Sequence, residues 1–137
     1  RRILLIAALA VLGGCGAPEK EAELECINNL KHVGLALVLY AGDHDNVVPR
    51  DPSAIATLDY LNQPPSVFVC PRDKAKRAPK TGSWDGFTLA TVSYSLIAPG
   101  ARLEPGGTND LVECPIHHHV AFVRGKVVGV RRGTANP

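Results

Sequence analysis

The sequence predicts an α+β fold, with one long N-terminal helix packed on a small antiparallel sheet. Three observations predict it. Ile27, Leu30, Gly34, Leu37 and Ala41 recur at helical spacing and make one apolar stripe. Thr91-Val92-Ser93-Tyr94-Ser95-Leu96 alternates as a half-buried strand does. Val120 to Val123 and Lys126 to Val130 flank Arg124-Gly125, a two-residue turn of the kind that joins paired strands. With 137 residues there is room for one domain. A content of 45% hydrophobic but only 5% aromatic residues, with 13 Gly and 11 Pro, describes a loop-rich globular unit rather than a disordered or fibrous chain.

Residues 1–14 stand apart from that unit. Arg1-Arg2 precedes an apolar run from Ile3 to Leu12, then Gly13-Gly14-Cys15. Ten residues of helix rise about 15 Å at ~1.5 Å each, too little for a hydrocarbon core of ~30 Å. Two positive charges, a short apolar core and small residues before a cut point form a secretory leader. Leu12-Gly13-Gly14-Cys15 resembles the lipobox of bacterial lipoproteins, which implies cleavage before Cys15 and a lipid on its sulfur. The expected organisation is a leader over 1–14, a lipidated tether over 15–18 and a globular domain over 19–137. The chain is then exported and held to a membrane by Cys15, facing the periplasm. Gly16 in place of Asp after the cysteine favours the outer membrane by the same resemblance. The formal charge of +2 equals the contribution of Arg1 and Arg2, so the mature part is neutral and nothing points to nucleic acid.

Along the mature chain, a helix is expected from about Glu19 to Ala41. Glu19, Glu21, Glu23 and Glu25 stand near its positive N-terminal end, where carboxylates stabilise it. Its outer stripe starts polar with Asn28 and His32 and turns apolar at Leu35 and Leu39. Either the domain wraps that end, or Leu35 and Leu39 face another subunit. Gly34 costs ~1 kcal/mol inside a helix, which points to close packing there. Gly42 is the expected stop. Asp51-Pro52 reads as the cap of a short helix lined by Ile55, Leu58 and Leu61. Ser66 to Cys70 reads as a strand, and Arg72 to Lys80 as an exposed basic loop.

Cys26-Ile-Asn-Asn-Leu-Lys-His-Val-Gly-Leu-Ala-Leu-Val-Leu-Tyr-Ala41, followed by Asp43-His44-Asp45 and Val48-Pro49, is similar to the helix signature of the type II secretion, pseudopilin-like proteins of planctomycetes and verrucomicrobia. Val67-Phe68-Val69-Cys70-Pro71-Arg72-Asp73, Ser93-Tyr94-Ser95 and the final hairpin resemble later segments of that family, in the same order. The resemblance implies a pilin-like globular domain with a non-enzymatic, structural or interaction role in a type II secretion or pilus-like assembly. Two features depart from the family. A lipobox leader replaces the hydrophobic prepilin helix, and Arg124 replaces an Asp in the last turn.

Three thiols remain besides Cys15: Cys26, Cys70 and Cys114. An oxidising compartment suggests one disulfide among them. Pairings that use Cys70 are favoured because it lies mid-chain, and a loop of ~45 residues closed this way stabilises by roughly 3–4 kcal/mol. The alternative is zinc. Cys70-Pro-Arg-Asp73 and Cys114-Pro-Ile-His117 are both Cys-Pro-x-ligand turns resembling half-knuckles of zinc ribbons, and His117 and His119 would point to one side of an extended chain. Cys114, His117 and His119 are the expected ligands in that case, and a metal-binding lipoprotein is the alternative function. Asp43, Asp45 and Asn46 lack the Gly and closing Glu of a calcium loop. No nucleophile elbow, phosphate loop or haem motif occurs, so no enzymatic activity is expected.

Overall fold

The apolar stripe of the N-terminal segment builds helix α1, Ala17–Asp43. In the computed structural model, which describes residues 17–56, 60–76, 83–85 and 87–133, α1 lies across a four-stranded antiparallel sheet of order β1-β2-β3-β4. The strands are β1 (Ser95–Leu96), β2 (Thr108–Cys114), β3 (His119–Arg124) and β4 (Val127–Arg132). The fold is therefore α+β, as expected. Cys26, Leu30, Val33, Leu37 and Ala41 are buried beneath the helix, while Leu35 and Leu39 on its outer side are 48% and 47% exposed. Among the described residues, nothing wraps that face. Gly34 is the point of closest approach: a Cβ there would lie 3.0 Å from Val128 Cγ1 and 3.3 Å from Ala121 Cβ, the close packing its presence in a helix implied.

The helix does not stop at Gly42. It runs to Asp43, and the chain then turns through Asp45 and Asn46 at φ 54° and 61°, a left-handed conformation that Asp and Asn tolerate better than most residues. Asp51 caps the short helix α2, Ser53–Ala56, accepting from the Ser53 N–H through Oδ1 at 2.7 Å. Of the apolar residues assigned to that helix, Ile55 is fully buried, Leu61 lies beyond its end, and Leu58 falls outside the described residues, as do Cys15 and the leader.

The segment around Phe68 is not a strand. Pro65–Phe68 forms a 3-10 turn led by Pro64 and Pro65, whose fixed φ suits a helical first turn. Phe68 is buried against Trp84 and Phe87, with ring centroids at 5.8 and 5.2 Å, and this aromatic anchor sets where Cys70 emerges. Only the end of the Thr91–Leu96 segment is strand. Leu89–Thr91 is a 3-10 turn, and the Ser93 N–H bonds the Phe68 carbonyl at 2.9 Å rather than a neighbouring strand. Strands β3 and β4 form the expected hairpin, with the turn one residue later than read. Arg124 pairs Val127, and Gly125 takes the first central position at φ 59°, where such turns favour glycine.

Strand β2 has no counterpart in the sequence reading. A register shift between Asp110 and Val112 breaks its alternation, so consecutive Leu111 and Val112 are both buried and the period of two disappears. Its pairing places Val112 beside Ala121 and Cys114 beside His119. Among the described residues, no helix is long and apolar enough to cross a membrane.

Candidate metal centre

Four donors from three distant segments meet between α1 and the end of the β2–β3 hairpin. Cys26 enters from the inward face of α1, and Cys70 from the turn after the Phe68 anchor. Cys114 closes β2, and His117 sits in the turn before β3. Their Sγ and Nδ1 atoms all lie within 4.8 Å of one another. Cys70 Sγ and Cys114 Sγ stand 3.3 and 3.9 Å from His117 Nδ1. Four donors held tetrahedrally at ~2.3 Å from one ion stand about 3.8 Å apart, so the cluster is close to the size that such an ion needs. Cys26, Cys70 and Cys114 are 0%, 1% and 0% exposed.

Local chemistry prepares the Cys114 sulfur for ionisation. Cys70 and Cys114 each begin a Cys-Pro turn. The Asp73 N–H returns to the Cys70 carbonyl and the His118 N–H to the Cys114 carbonyl, both at 2.9 Å. These turns aim backbone N–H groups at sulfur, that of His117 reaching Cys114 Sγ at 3.4 Å. The Cys114 thiol is pulled down to about 5, first by a hydrogen bond from Cys26 and then by the amides of His117 and Ile116, against the cost of burial. Cys26 moves up in return, as the donor to Cys114 in a buried site. Burial pushes Cys70 up to about 11. A cation at the centre of the cluster would favour ionising all three thiols. Tyr94, itself buried and held protonated by that burial, directs its hydroxyl at Cys26 Sγ from 3.9 Å.

These positions change the expected assignments. Cys26, Cys70 and Cys114 are free thiols rather than a disulfide with one thiol left over. Cys114 and His117 belong to the cluster as predicted for a metal, but His119 does not. Residues 115–118 form a turn with His118 at φ 54°, so the two-residue alternation of an extended chain does not apply there. The His119 ring stacks behind that of His117, with centroids 5.7 Å apart and planes at 20°, and its Nε2 faces Glu23 Oε1 at 3.3 Å. The two donors of the cluster missing from the expected set are Cys26 and Cys70. The repeated Cys-Pro turn marks Cys70 as resembling a zinc half-knuckle, although the expected ligand set omits it; no spacing ties Cys26 to either turn. Asp73, which occupies the position of His117 in the other turn, is engaged elsewhere, accepting from Ser93 Oγ at 2.8 Å and from the amides of Ala75 and Lys76.

No family model, curated protein or solved structure matches the chain.

Proposed function

We propose that this chain is a lipid-anchored, pilin-like domain closed by one structural zinc ion, acting by binding rather than by catalysis. The observation that carries the proposal is the convergence of Cys26, Cys70, Cys114 and His117 in a buried cluster. Thiolates with one imidazole are a donor set that zinc favours, and four protein ligands leave no open position for a reacting water. The ion would join the helix, the Phe68 segment and the β2–β3 hairpin. A ~14.6 kDa chain with few aromatics gains stability from such a staple.

The pilin-like reading rests on the order of the resembling segments and is supported by an α+β body with one long helix on a small antiparallel sheet. Exposure of Leu35 and Leu39 on the outer face of α1 favours an interaction role, with subunits of a secretion or pilus-like assembly as the partner class. The membrane attachment rests on the Cys15 lipobox. It predicts that a Cys15→Ala precursor is no longer processed and retained in membranes as the parent is.

Elemental analysis and thiol titration of the full chain purified under reducing, chelator-free conditions test the zinc assignment. The expected result is one zinc per chain, with Cys26, Cys70 and Cys114 shielded until a chelator and denaturant are added. A metal-free chain containing a disulfide would overturn it. Replacing Leu35 and Leu39 with Lys should leave a stable monomer that no longer co-purifies with a partner; an unfolded product would place both in the core instead.

A further inference from the structure

Two buried nitrogens beside the cluster have no partner among the described residues: His117 Nε2 and His119 Nδ1. They belong to neighbouring, nearly parallel rings, and chemistry gives them opposite characters. If His117 offers Nδ1 to the metal, its proton sits on Nε2, which becomes a donor. If His119 donates Nε2–H to Glu23 Oε1, at 3.3 Å, its Nδ1 becomes an acceptor. Leaving either nitrogen buried and unpaired is costly. A donor and an acceptor on adjacent rings, with centroids 5.7 Å apart, would both be satisfied by a single bridging water.

We propose that His119 and Glu23 are the outer shell of the metal centre, fixing His117 in the tautomer that presents Nδ1 to the metal. The inference rests on the zinc reading and extends it from the ligands to the residues that orient them. The inferred chain would run from His117 through a bridging water to His119; from there the observed contacts lead to Glu23 on α1 and end on Arg132 of β4, whose Nη2 donates to Glu23 Oε1 at 2.8 Å. That guanidinium holds the Glu23 carboxyl below its usual range, so the outer end of the chain is an anion that accepts only. His119 is 3% exposed, and its pairing with Cys114 across β2 and β3 places it directly behind the site. His119 is therefore a positioning residue and not a ligand.

The test is a thermodynamic cycle on the full chain, read as zinc affinity against a chromophoric chelator and as the ligand-field bands of the cobalt-substituted protein. His119→Phe keeps a flat ring but removes both nitrogens. It should weaken zinc roughly 10–100-fold and shift the cobalt bands while leaving one metal per chain. In a His117→Cys background the fourth ligand carries no second nitrogen to orient, so the same His119→Phe change should cost less than threefold. A merely structural histidine would cost the same in both backgrounds, and that result would overturn the proposal. Should His119→Phe fail to fold, Glu23→Leu and Glu23→Gln decide. The first should weaken zinc and the second largely restore it, because the Gln oxygen still accepts from Nε2–H. Equal affinities for parent, Glu23→Leu and Glu23→Gln would refute the outer shell. If the parent binds neither zinc nor cobalt, the zinc reading itself fails and the outer shell with it.

Discussion

The turns after Cys70 and Cys114 begin alike and end differently. Both start Cys-Pro, both close with an N–H returning to the cysteine carbonyl at 2.9 Å, and both deliver a buried sulfur to the same cluster. Three residues after the cysteine, one turn carries Asp73 and the other His117. Asp73 is not among the clustered donors and organises its own loop, accepting from Ser93 Oγ and two backbone amides. His117 points inward, with Nδ1 between Cys70 and Cys114. The difference shows that a ligand type at the right spacing is not sufficient. The segment that follows decides: Asp73 is claimed by amides that no strand has paired, whereas His117 sits in a hairpin turn whose flanking residues are already paired in β2 and β3.

The strongest way to break the comparison is to remove the sulfur that each turn shares with the other. Cys70→Ser and Cys114→Ser should each abolish stoichiometric zinc and cooperative thermal unfolding. In small zinc domains the metal contributes on the order of 10 kcal/mol to folding. Retention of a sharp unfolding transition by either variant, followed by circular dichroism, would show that the core stands without the metal. Chelator treatment of the parent should reproduce the same loss, and re-adding zinc should reverse it.

The fourth positions come next, and there the two turns should part. His117→Ala should weaken zinc by more than the ~10–100-fold typical of outer-shell losses. Asp73→Ala should leave one zinc per chain at unchanged affinity. It should lower stability by about 1–3 kcal/mol, because the Ser93 hydroxyl and two amides lose a charged acceptor. Denaturant midpoints together with zinc competition separate the two effects. Comparable loss of zinc in both variants would make Asp73 part of the metal site and erase the distinction between the turns.

What was legible in the sequence follows from the range of the interactions involved. Helix α1 was legible because its stripe repeats within a few residues, and Gly34 announced the contact with Val128 and Ala121 for the same reason. Cys114 and His117 were legible as a pair because one turn holds both. Cys26 and Cys70 were legible as disulfide candidates, with pairings through Cys70 favoured, since nothing local ties a helix-face thiol to either turn. Strand β2 was hidden by its register shift, which buries neighbours instead of alternates. His119 was misassigned as a ligand because strand alternation was extended into a turn where His118 adopts positive φ. Each miss comes from a long-range contact or a local break of period.

The smallest effect concerns what fastens each turn from outside. Glu19 and Glu23 stand one helical turn apart on the face of α1 that carries Cys26. Glu19 pairs with Arg72 beside Cys70, while Glu23 meets His119 beside Cys114. The first clasp is an exposed ion pair, with side chains 55% and 44% exposed; the second ends on a histidine side chain only 4% exposed. Exposed pairs contribute about 0–1 kcal/mol and are screened by salt. Arg72→Ala should therefore lower stability by less than ~1 kcal/mol, with the difference from parent shrinking at high salt and zinc affinity unchanged. Chelator competition and denaturant melts at two ionic strengths measure both quantities. If Arg72→Ala instead weakened zinc as much as His119→Phe, the Cys70 turn would need its own outer fastening, and the asymmetry between the two turns would lie in the inner residues alone.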